Sequence, residues 1–559
     1  MKITMFSLFF ILSCWSLSYG QDFQLEWLKS LGGTEDEVIS GFEVDALGNV
    51  TIAGVFENNL CINDSLCFYT SGLGDWDIFV VQYDSLGAIR WAKTFGGNKE
   101  DWVFDMALSP EGEIYITGFF TGPAKFDSLQ LTPNYYRAGY LVKMSSDGVI
   151  LNHLQTWGNL VDIFEHVTVN KDGQLWLVGF IESDSLDFGN GIIIRRKGPY
   201  NDVFALALNP DLKPFSFAQL YSKNDVFPSL RRFDAVSDSV GNLYFSGTYN
   251  DTLYFNEEGF SQGLDWHNYI AKVTPDGNLV KMNLFNGREL MPANLKVDNV
   301  NSLYVSGTLR ASKISWGQVN IISDSTLSYF VGKLSSKLEP DWLFQNSGFQ
   351  GLYNSQDLMV NALGVYSIGG FDRSYSISDT ILTAHPSPQS DSDILILQHD
   401  LETGKLKGLS HLPGPVSEYG ARLTSNESCQ LYFCGAFNNT LTQLDTFTLR
   451  NSSFFTTDLL VGKFVDLDTV KFIPPLDTIF DSITIYPNPF IDQISIAGLP
   501  VDERVTVSLY DLLGRKHIEY STLNINTKIT LFNLSYLPKA TYILSVESPA
   551  KHYAKKVRN

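Results

Sequence analysis

Eight histidines, five cysteines and 61 acidic residues are the groups in this 559-residue chain best able to carry chemistry. The histidines are His153, His166, His267, His385, His399, His411, His517 and His552, and no H-x-x-x-H or other metal-ligand spacing joins them. The nearby acid pair Glu165-His166 stands isolated, so these residues read as surface or core histidines. No nucleophile elbow, phosphate-cradling loop or EF-hand phrase is present. Asp391-Ser392-Asp393 is too short for a calcium loop. A glycosidase or lyase needs two carboxylates at a set separation, and with so many acids the sequence selects no pair. We therefore assign no catalytic, cofactor-binding or metal residue, and expect no cofactor.

Four aspartates, Asp77, Asp202, Asp393 and Asp458, recur at one place in a repeated phrase. They could line a central channel and hold a cation, or cap turns by accepting backbone N–H bonds. Because the position repeats with the fold, we favour capping. Trp76, Trp102, Trp157 and Trp266 stand near loops, where they could stack on sugars, but a wedge between repeats is the expected role. Cys61 and Cys67 could close a small ring in a loop-like stretch. Cys429 and Cys434 flank one strand, whose length of roughly 16 Å is too great for a bridge between them.

The elements that must position these residues repeat. One strand-like phrase runs from a Gly to a closing Gly as Gly48-Asn49-Val50-Thr51-Ile52-Ala53-Gly54. Later copies close at Gly118, Gly179, Gly247, Gly307, Gly369 and Gly435. The fifth opens with Asn301, a residue that also tolerates positive φ, and the sixth is one residue shorter. A second phrase, a small polar residue before an apolar run, keeps step with the first, as in Asp77-Ile78-Phe79-Val80-Val81 and Asp458-Leu459-Leu460-Val461. From Gly54 to Gly435, and from Asp77 to Asp458, is 381 residues over six intervals, a mean of 63.5.

Runs of four to six Val, Ile, Leu, Phe and Tyr between Gly, Asn, Asp and Pro are strands, and no helical period is sustained. A β unit of four strands that recurs seven times predicts a seven-bladed β-propeller, since β-solenoid repeats are far shorter. Trp27-Leu28-Lys29-Ser30-Leu31-Gly32-Gly33 matches Trp91-Ala92-Lys93-Thr94-Phe95-Gly96-Gly97 but has no blade before it, and the seventh repeat ends at Gly462-Lys463-Phe464 without that phrase. The N-terminal strand is therefore expected to complete the last blade and pair a free edge. Residues 21–468 number 448, seven times 64.

These phrases resemble the β-propeller repeats of secreted Bacteroidetes-type proteins, D-x-F-V-x-K-x-D-x-x-G, W-x-x-x-x-G-G and D-x-x-G-N-x-Y-x-x-G. The match is good in the first two repeats and degrades afterwards. It implies the fold and hardly touches function.

After a Pro-containing linker at 469–481, residues 482–559 alternate again in short strands, as in Val505-Thr506-Val507-Ser508-Leu509-Tyr510, and predict a small Ig-like β-sandwich. Three ordered phrases resemble the type A sorting domain of the type IX secretion system. They are Tyr486-Pro487-Asn488-Pro489-Phe490, then Leu509-Tyr510-Asp511-Leu512-Leu513-Gly514-Arg515, then Leu537-Pro538-Lys539-Ala540-Thr541-Tyr542 ahead of the basic end with Lys555 and Lys556. Ala540 departs from the family's usual Gly, and a small residue still fits. The resemblance implies an outer-membrane translocon and a sortase-like protease as partners, with the mature protein attached to surface lipopolysaccharide or released.

The other end fits export. Lys2, the apolar run Met5 to Leu12 and the small residues Ser18 and Gly20 read as a secretory signal peptide over 1–20, cleaved before Gln21. Cys14 only weakly fits a lipoprotein box, and the run is too short for a membrane span. The formal charge is −21. Residues 482–559 hold nine Lys+Arg and six Asp+Glu, net +3, so the rest carries −24. Such a body repels nucleic acid and anionic lipid. The expectation is an exported, non-catalytic binding propeller for an extracellular protein or glycan. A secreted carbohydrate-active enzyme and a structural surface or motility component are the alternatives.

Overall fold

The computed structural model describes residues 25–465 and 484–559, apart from short internal stretches of which 224–233 is the longest. The signal segment 1–20 and the linker 469–481 lie outside the described residues. Every described element is a strand, so the chain is all-β as its composition requires. No helix among the described residues is long and apolar enough to cross a membrane.

The first unit is a meander of Glu37–Val44, Val50–Glu57, Trp76–Tyr83 and Ile89–Gly97, each antiparallel to the one before. The innermost strands of the next six units are Asp101–Leu108, Asp162–Val169, Ala235–Ser237, Leu290–Val297, Tyr353–Asn361 and Val416–Ser425. Each of these seven strands touches the next, and the last touches the first. The seventh unit takes its outer strand from the other end of the chain. Leu25–Leu31 pairs antiparallel with Asp458–Phe464, from Leu31 opposite Leu459 to Leu25 opposite Phe464. Seven four-stranded units whose inner strands close into a circuit are the arrangement expected of a seven-bladed propeller, though further pairings join three of the units into one larger sheet.

The middle strands of the blades are buried along their whole length, as in Ile114–Phe120 and Ala138–Met144. Neighbouring blades cover both faces, which is why the sequence shows unbroken apolar runs rather than alternation. The core lies between blades. One cluster joins Trp27, Leu31 and Tyr432 of the seventh blade to Ile39, Val50 and Phe79 of the first. Indole N–H groups pin the junctions. Trp91 donates to the carbonyl of Ser146 in the next blade at 3.0 Å, and Trp342 to that of Leu401 at 3.0 Å.

The two glycines of the repeated phrase serve different ends. The opening position needs positive φ: Gly48, Gly112, Gly173 and Gly241 have φ of 81°, 80°, 74° and 87°, and Asn301 and Cys429 adopt 67° and 60° in their place. The closing position needs space. A Cβ on Gly54, Gly118 or Gly179 would overlap the carbonyl oxygen of Val38, Trp102 or Ile163. At Gly54, Gly118, Gly179, Gly307 and Gly369 the facing inner strand bulges at the next step. Gly247 pairs with Tyr269 and Gly435 with Leu460 on the strand to the other side.

The four-strand unit expected from the period is incomplete. Six of the seven blades carry an extra hairpin between their second and third strands, for example Ala124–Phe126 with Leu129–Leu131. The fourth blade extends its own strands instead, over Leu243–Phe255 and Glu258–Val273. The first of these hairpins holds Cys61 and Cys67, which lie on paired strands rather than in a loop and form a disulfide. Neither Cys429 nor Cys434 is in a disulfide.

The C-terminal residues form two sheets. One has Thr484–Tyr486, Ile494–Ala497 and Lys528–Leu531. The other has Glu503–Asp511, Lys516–Asn524, Thr541–Glu547 and His552–Arg558. They share one core, with Phe490, Ile496, Val507, Leu544 and Val557 among its members.

Candidate functional site: the axial belt and the C-terminal phrases

Opposite five of the closing glycines the inner strand bulges, and the residue after the bulge occupies an equivalent place in each blade. Counting back thirteen residues from each closing glycine, or twelve in the short sixth copy, reaches Gly41, Asp105, His166, Asp234, Asn294, Asp357 and Arg422. Registers place them at one equivalent position. Asp105 lies opposite Thr117, His166 opposite Val178, Asp357 opposite Ile368 and Arg422 opposite Cys434. Strand alternation puts Glu43 and Lys296, two residues further along their strands, on the same face. Gly41 leaves the first blade without a side chain at its own position. From blade two to blade seven the belt then runs acid, imidazole, acid, ammonium, acid, guanidinium, and Glu43 of blade one closes it.

Three aspartates of this belt tie blades together. Asp105 accepts the N–H of Met106 at 2.9 Å and of Val167, in the third blade, at 3.0 Å. Asp234 accepts from Ala235 at 2.8 Å and from Leu295, in the fifth, at 2.6 Å. Asp357 accepts from Leu358 at 2.8 Å and from Leu423, in the seventh, at 3.0 Å. Each fixes the backbone of the following blade at the axis. His166 Nδ1 lies 3.4 Å from Asp105 Oδ2. The isolation of Glu165-His166 in the sequence is thereby corrected: His166 has its acid partner 61 residues upstream.

The belt residues perturb one another. Burial pushes Glu43 up to about 7, with Lys296 opposing and Asp357 and Asp105 adding. Burial likewise carries Glu165 to about 7, against the pull of His166. Burial alone would lower the Lys296 ammonium, but Asp357, Glu43 and Asp234 hold it above its ordinary value. Burial also opposes the charge on Arg422, and Asp357 and Asp105 more than restore it. Glu43, Lys296 and Arg422 are all half-buried. None makes a side-chain hydrogen bond or ion pair among the described residues.

The recurrent aspartates sit away from this belt, at the starts of third strands. Asp202 accepts from the N–H of Lys197 at 2.6 Å and of Gly198 at 2.9 Å, as a turn cap does. Asp77 is buried, and Asp393 and Asp458 are buried at the equivalent starts of their strands. No group of three His, Cys, Asp or Glu among the described residues converges as a metal site. The tryptophans divide. Trp76 and Trp102 pack ring to ring across the first and second blades, with centroids 5.1 Å apart. Trp157 is 58% exposed and Trp266 is exposed as well.

In the C-terminal domain the three phrases come together. The strand carrying Leu509 and Tyr510 pairs with the one carrying Tyr542, with Asp511 opposite Tyr542. That strand in turn pairs with the last, where Lys555 faces Leu544 and Lys556 faces Ile543. The phrase begun by Tyr486 and Pro487 reaches the same edge, since Phe490 donates its N–H to the carbonyl of Arg558 at 2.7 Å. Tyr542 donates its hydroxyl to the carbonyl of Pro538 at 2.7 Å. Asn488, Pro489, Gly514 and Arg515 lie outside the described residues.

Residues 484–558 match the family model of the secretion system C-terminal sorting domain. A curated relative, an uncharacterised WD repeat-containing protein of Acanthamoeba polyphaga mimivirus, is 20% identical over 298 residues, 48% of this chain. The aligned part spans only 19% of that relative's length. Among solved structures, an apocarotenoid oxygenase of Synechocystis overlays 57% of this chain and 65% of its own, at 8% identity and a TM-score of 0.28. Dimeric latent PorU of Porphyromonas gingivalis overlays 71% of this chain and 32% of its own, at 11% identity and a TM-score of 0.13. Overlays at these scores establish no common fold. The sorting tail marks the protein for export by the type IX route, to the cell surface or the medium.

Proposed function

We propose that the exported protein is a non-catalytic binding module, a propeller over residues 21–468 that meets an extracellular protein or glycan. In this reading 1–20 is a signal peptide and 469–481 a linker. The domain at 482–559 is a small β-sandwich, handed to the outer-membrane translocon and removed by a sortase-like protease. The carrying observation is the match of 484–558 to the sorting-domain model. The ordered phrases of that domain, gathered on one sheet and its edge, support it. Deleting 482–559 is expected to leave the protein in the periplasm, and unchanged surface display of the truncated chain would remove the export half of the reading. Glycan-array and surface-partner capture with the full chain test the binding half.

One observation favours a second reading, a carbohydrate-active enzyme. Glu43 and Glu165, both held near 7, could act as acids at neutral pH. Hydrolysis or lyase activity on extracellular polysaccharides, abolished by Glu43→Gln, would replace binding with catalysis.

A further inference from the structure

We propose that two blade junctions carry sites for a divalent cation of calcium's class, one between Asp77 and Asp101 and one between Glu37 and Asp458. These sites bear on how the ring holds together after export, whatever ligand the propeller meets.

Where the third strand of one blade passes the inner strand of the next, one residue of each comes side by side. Between the second and third blades these are Ala138 and Asp162, paired through their backbones. With Ala138 as its neighbour, the Asp162 carboxylate is filled by protein donors: the N–H groups of Glu182 and Ser183 at 3.0 Å and the Ser183 hydroxyl at 2.6 Å. Strand registers put Asp77 at the place of Ala138, and Asp101 and Glu37 at the place of Asp162. Asp458 holds the third-strand place in the seventh blade, and the Glu37 N–H donates to the carbonyl of Thr457 beside it at 3.3 Å. Two junctions therefore set acid against acid.

Protein donors do not fill these pairs. Asp77 and Glu37 are both more than nine-tenths buried. Asp77 Oδ1 and both carboxylate oxygens of Glu37 have no hydrogen-bond partner among the described residues. Asp77 Oδ1 and Asp101 Oδ2 both stand within 3.0 Å of the point where a Cβ on Gly96 would be, close enough for one ion to touch both. Asp101 is held there by the N–H groups of Gly97 at 2.6 Å and Thr121 at 3.2 Å. At the other junction, Glu37 Oε1 and the carbonyl oxygen of Asn59 both stand within 3.0 Å of the same point on Gly33, and the Asp458 carboxylate fills that point on Gly32. Only at these two junctions does the chain carry the phrase Trp-x-x-x-x-Gly-Gly, and a side chain on Gly32 or Gly96 would displace the acids.

Facing carboxylates inside a protein need a proton or a cation between them. The charged neighbours here add negative charge: Asp75 acts on Asp77 and Asp101, and Asp36 and Glu35 act on Glu37. Burial, with these neighbours adding, holds Asp77 at about 7, Asp101 at about 8 and Glu37 at about 10, so without an ion protons occupy the pairs at neutral pH. A divalent cation displaces those protons and satisfies the stranded oxygens. With two carboxylates at each site, backbone carbonyls and water complete the shell, a ligand set that suits calcium better than softer metals. Extracellular modules bind calcium at about 0.1–1 mM, and the sorting tail takes this protein outside the cell. The Glu37–Asp458 site lies where the two ends of the propeller meet, so an ion there fastens the ring.

The test is calorimetric titration of the EDTA-treated full chain with calcium chloride at pH 8. About two ions per chain should bind, and the melting temperature should rise as they do. Affinity should fall by about tenfold or more from pH 8 to pH 6.5, where protons hold the pairs. Asp77→Asn and Glu37→Gln should each lose one ion. Both substitutions keep the side chain's shape and remove an acid that burial disfavours. In EDTA the variants should therefore melt no lower than the parent, which separates lost binding from lost folding. The proposal falls if calcium neither binds nor raises the melting temperature, in which case protons alone hold the pairs. It falls equally if sodium chloride at matched ionic strength does as much, if affinity is the same at both pH values, or if either variant keeps both ions.

Discussion

Trp27 donates its indole N–H to the carbonyl oxygen of Ser85 at 3.1 Å, across 58 residues of chain. Trp27 lies on the strand that completes the seventh blade, and Ser85 in the turn between the last two strands of the first. The same indole lies against Gly87, where φ is 78° and a Cβ would collide with the ring. The bond fastens the point where the ring closes, so the two ends of a linear repeat meet through one aromatic side chain.

Replacing Trp27 with Ala should cost about 3–5 kcal/mol, because it empties a buried aromatic site and strands the Ser85 carbonyl. Urea unfolding of the full chain measures this. A loss below about 1 kcal/mol would mean that the closure is held by the strand pairing alone.

Asp105→Ala should destabilise by about 2 kcal/mol, since it leaves the N–H groups of Met106 and Val167 without their acceptor. Asp105→Asn keeps one acceptor oxygen and should lose less. Equal losses from the two variants would show that the carboxylate's charge, and not the stapling geometry, is what counts.

Stability should fall as pH rises above neutrality. Burial pushes Glu37 up to about 10, with Asp458 adding, Asp77 up to about 7, with Asp75 adding, and Asp101 up to about 8. A carboxyl with a raised folded pKa contributes fully below its ordinary unfolded value and loses that contribution as pH climbs through the folded one. His399 acts on the other side. Burial lowers it to about 4, so its contribution is present above 6.5 and fades as pH falls. The melting temperature is therefore expected to drop from pH 6.5 to pH 9, and Glu37→Gln should flatten the slope. A melting temperature that rises over that range would contradict the assignment.

The cysteines make a chemical prediction. Without reductant, iodoacetamide should label Cys429 in the folded protein and spare Cys434, whose thiol is buried and pushed up by that burial. Peptide mass analysis reads the outcome, and Cys61 and Cys67 should remain linked. Rapid native labelling of Cys434 would mean that the junction between the first and seventh blades opens readily.

Much of the ring was legible because two phrases kept one period and Trp27-Leu28-Lys29-Ser30-Leu31-Gly32-Gly33 lacked a blade of its own. The extra hairpins were not, since strands of three or four residues such as Ala124–Phe126 carry too little alternation to register. His166 was misread as isolated for a similar reason. Its partner Asp105 is in another repeat, and only a count back from the closing glycines aligns the two. That count was available in the sequence, but its meaning depends on the bulge opposite each glycine.

By itself, the sequence determined the all-β class, the number of repeats, the ring closure and the sorting phrases. These rest on local patterns of apolar runs, turn residues and fixed spacing, which a linear reading can see. Only the tertiary structure decided that Glu43, Lys296 and Arg422 lie on the inner strands of one ring and that three aspartates staple alternate blades. Those residues are some sixty or more positions apart, and closing the ring alone gives them a common environment. The same closure sets their charges against one another in a shared, partly desolvated space.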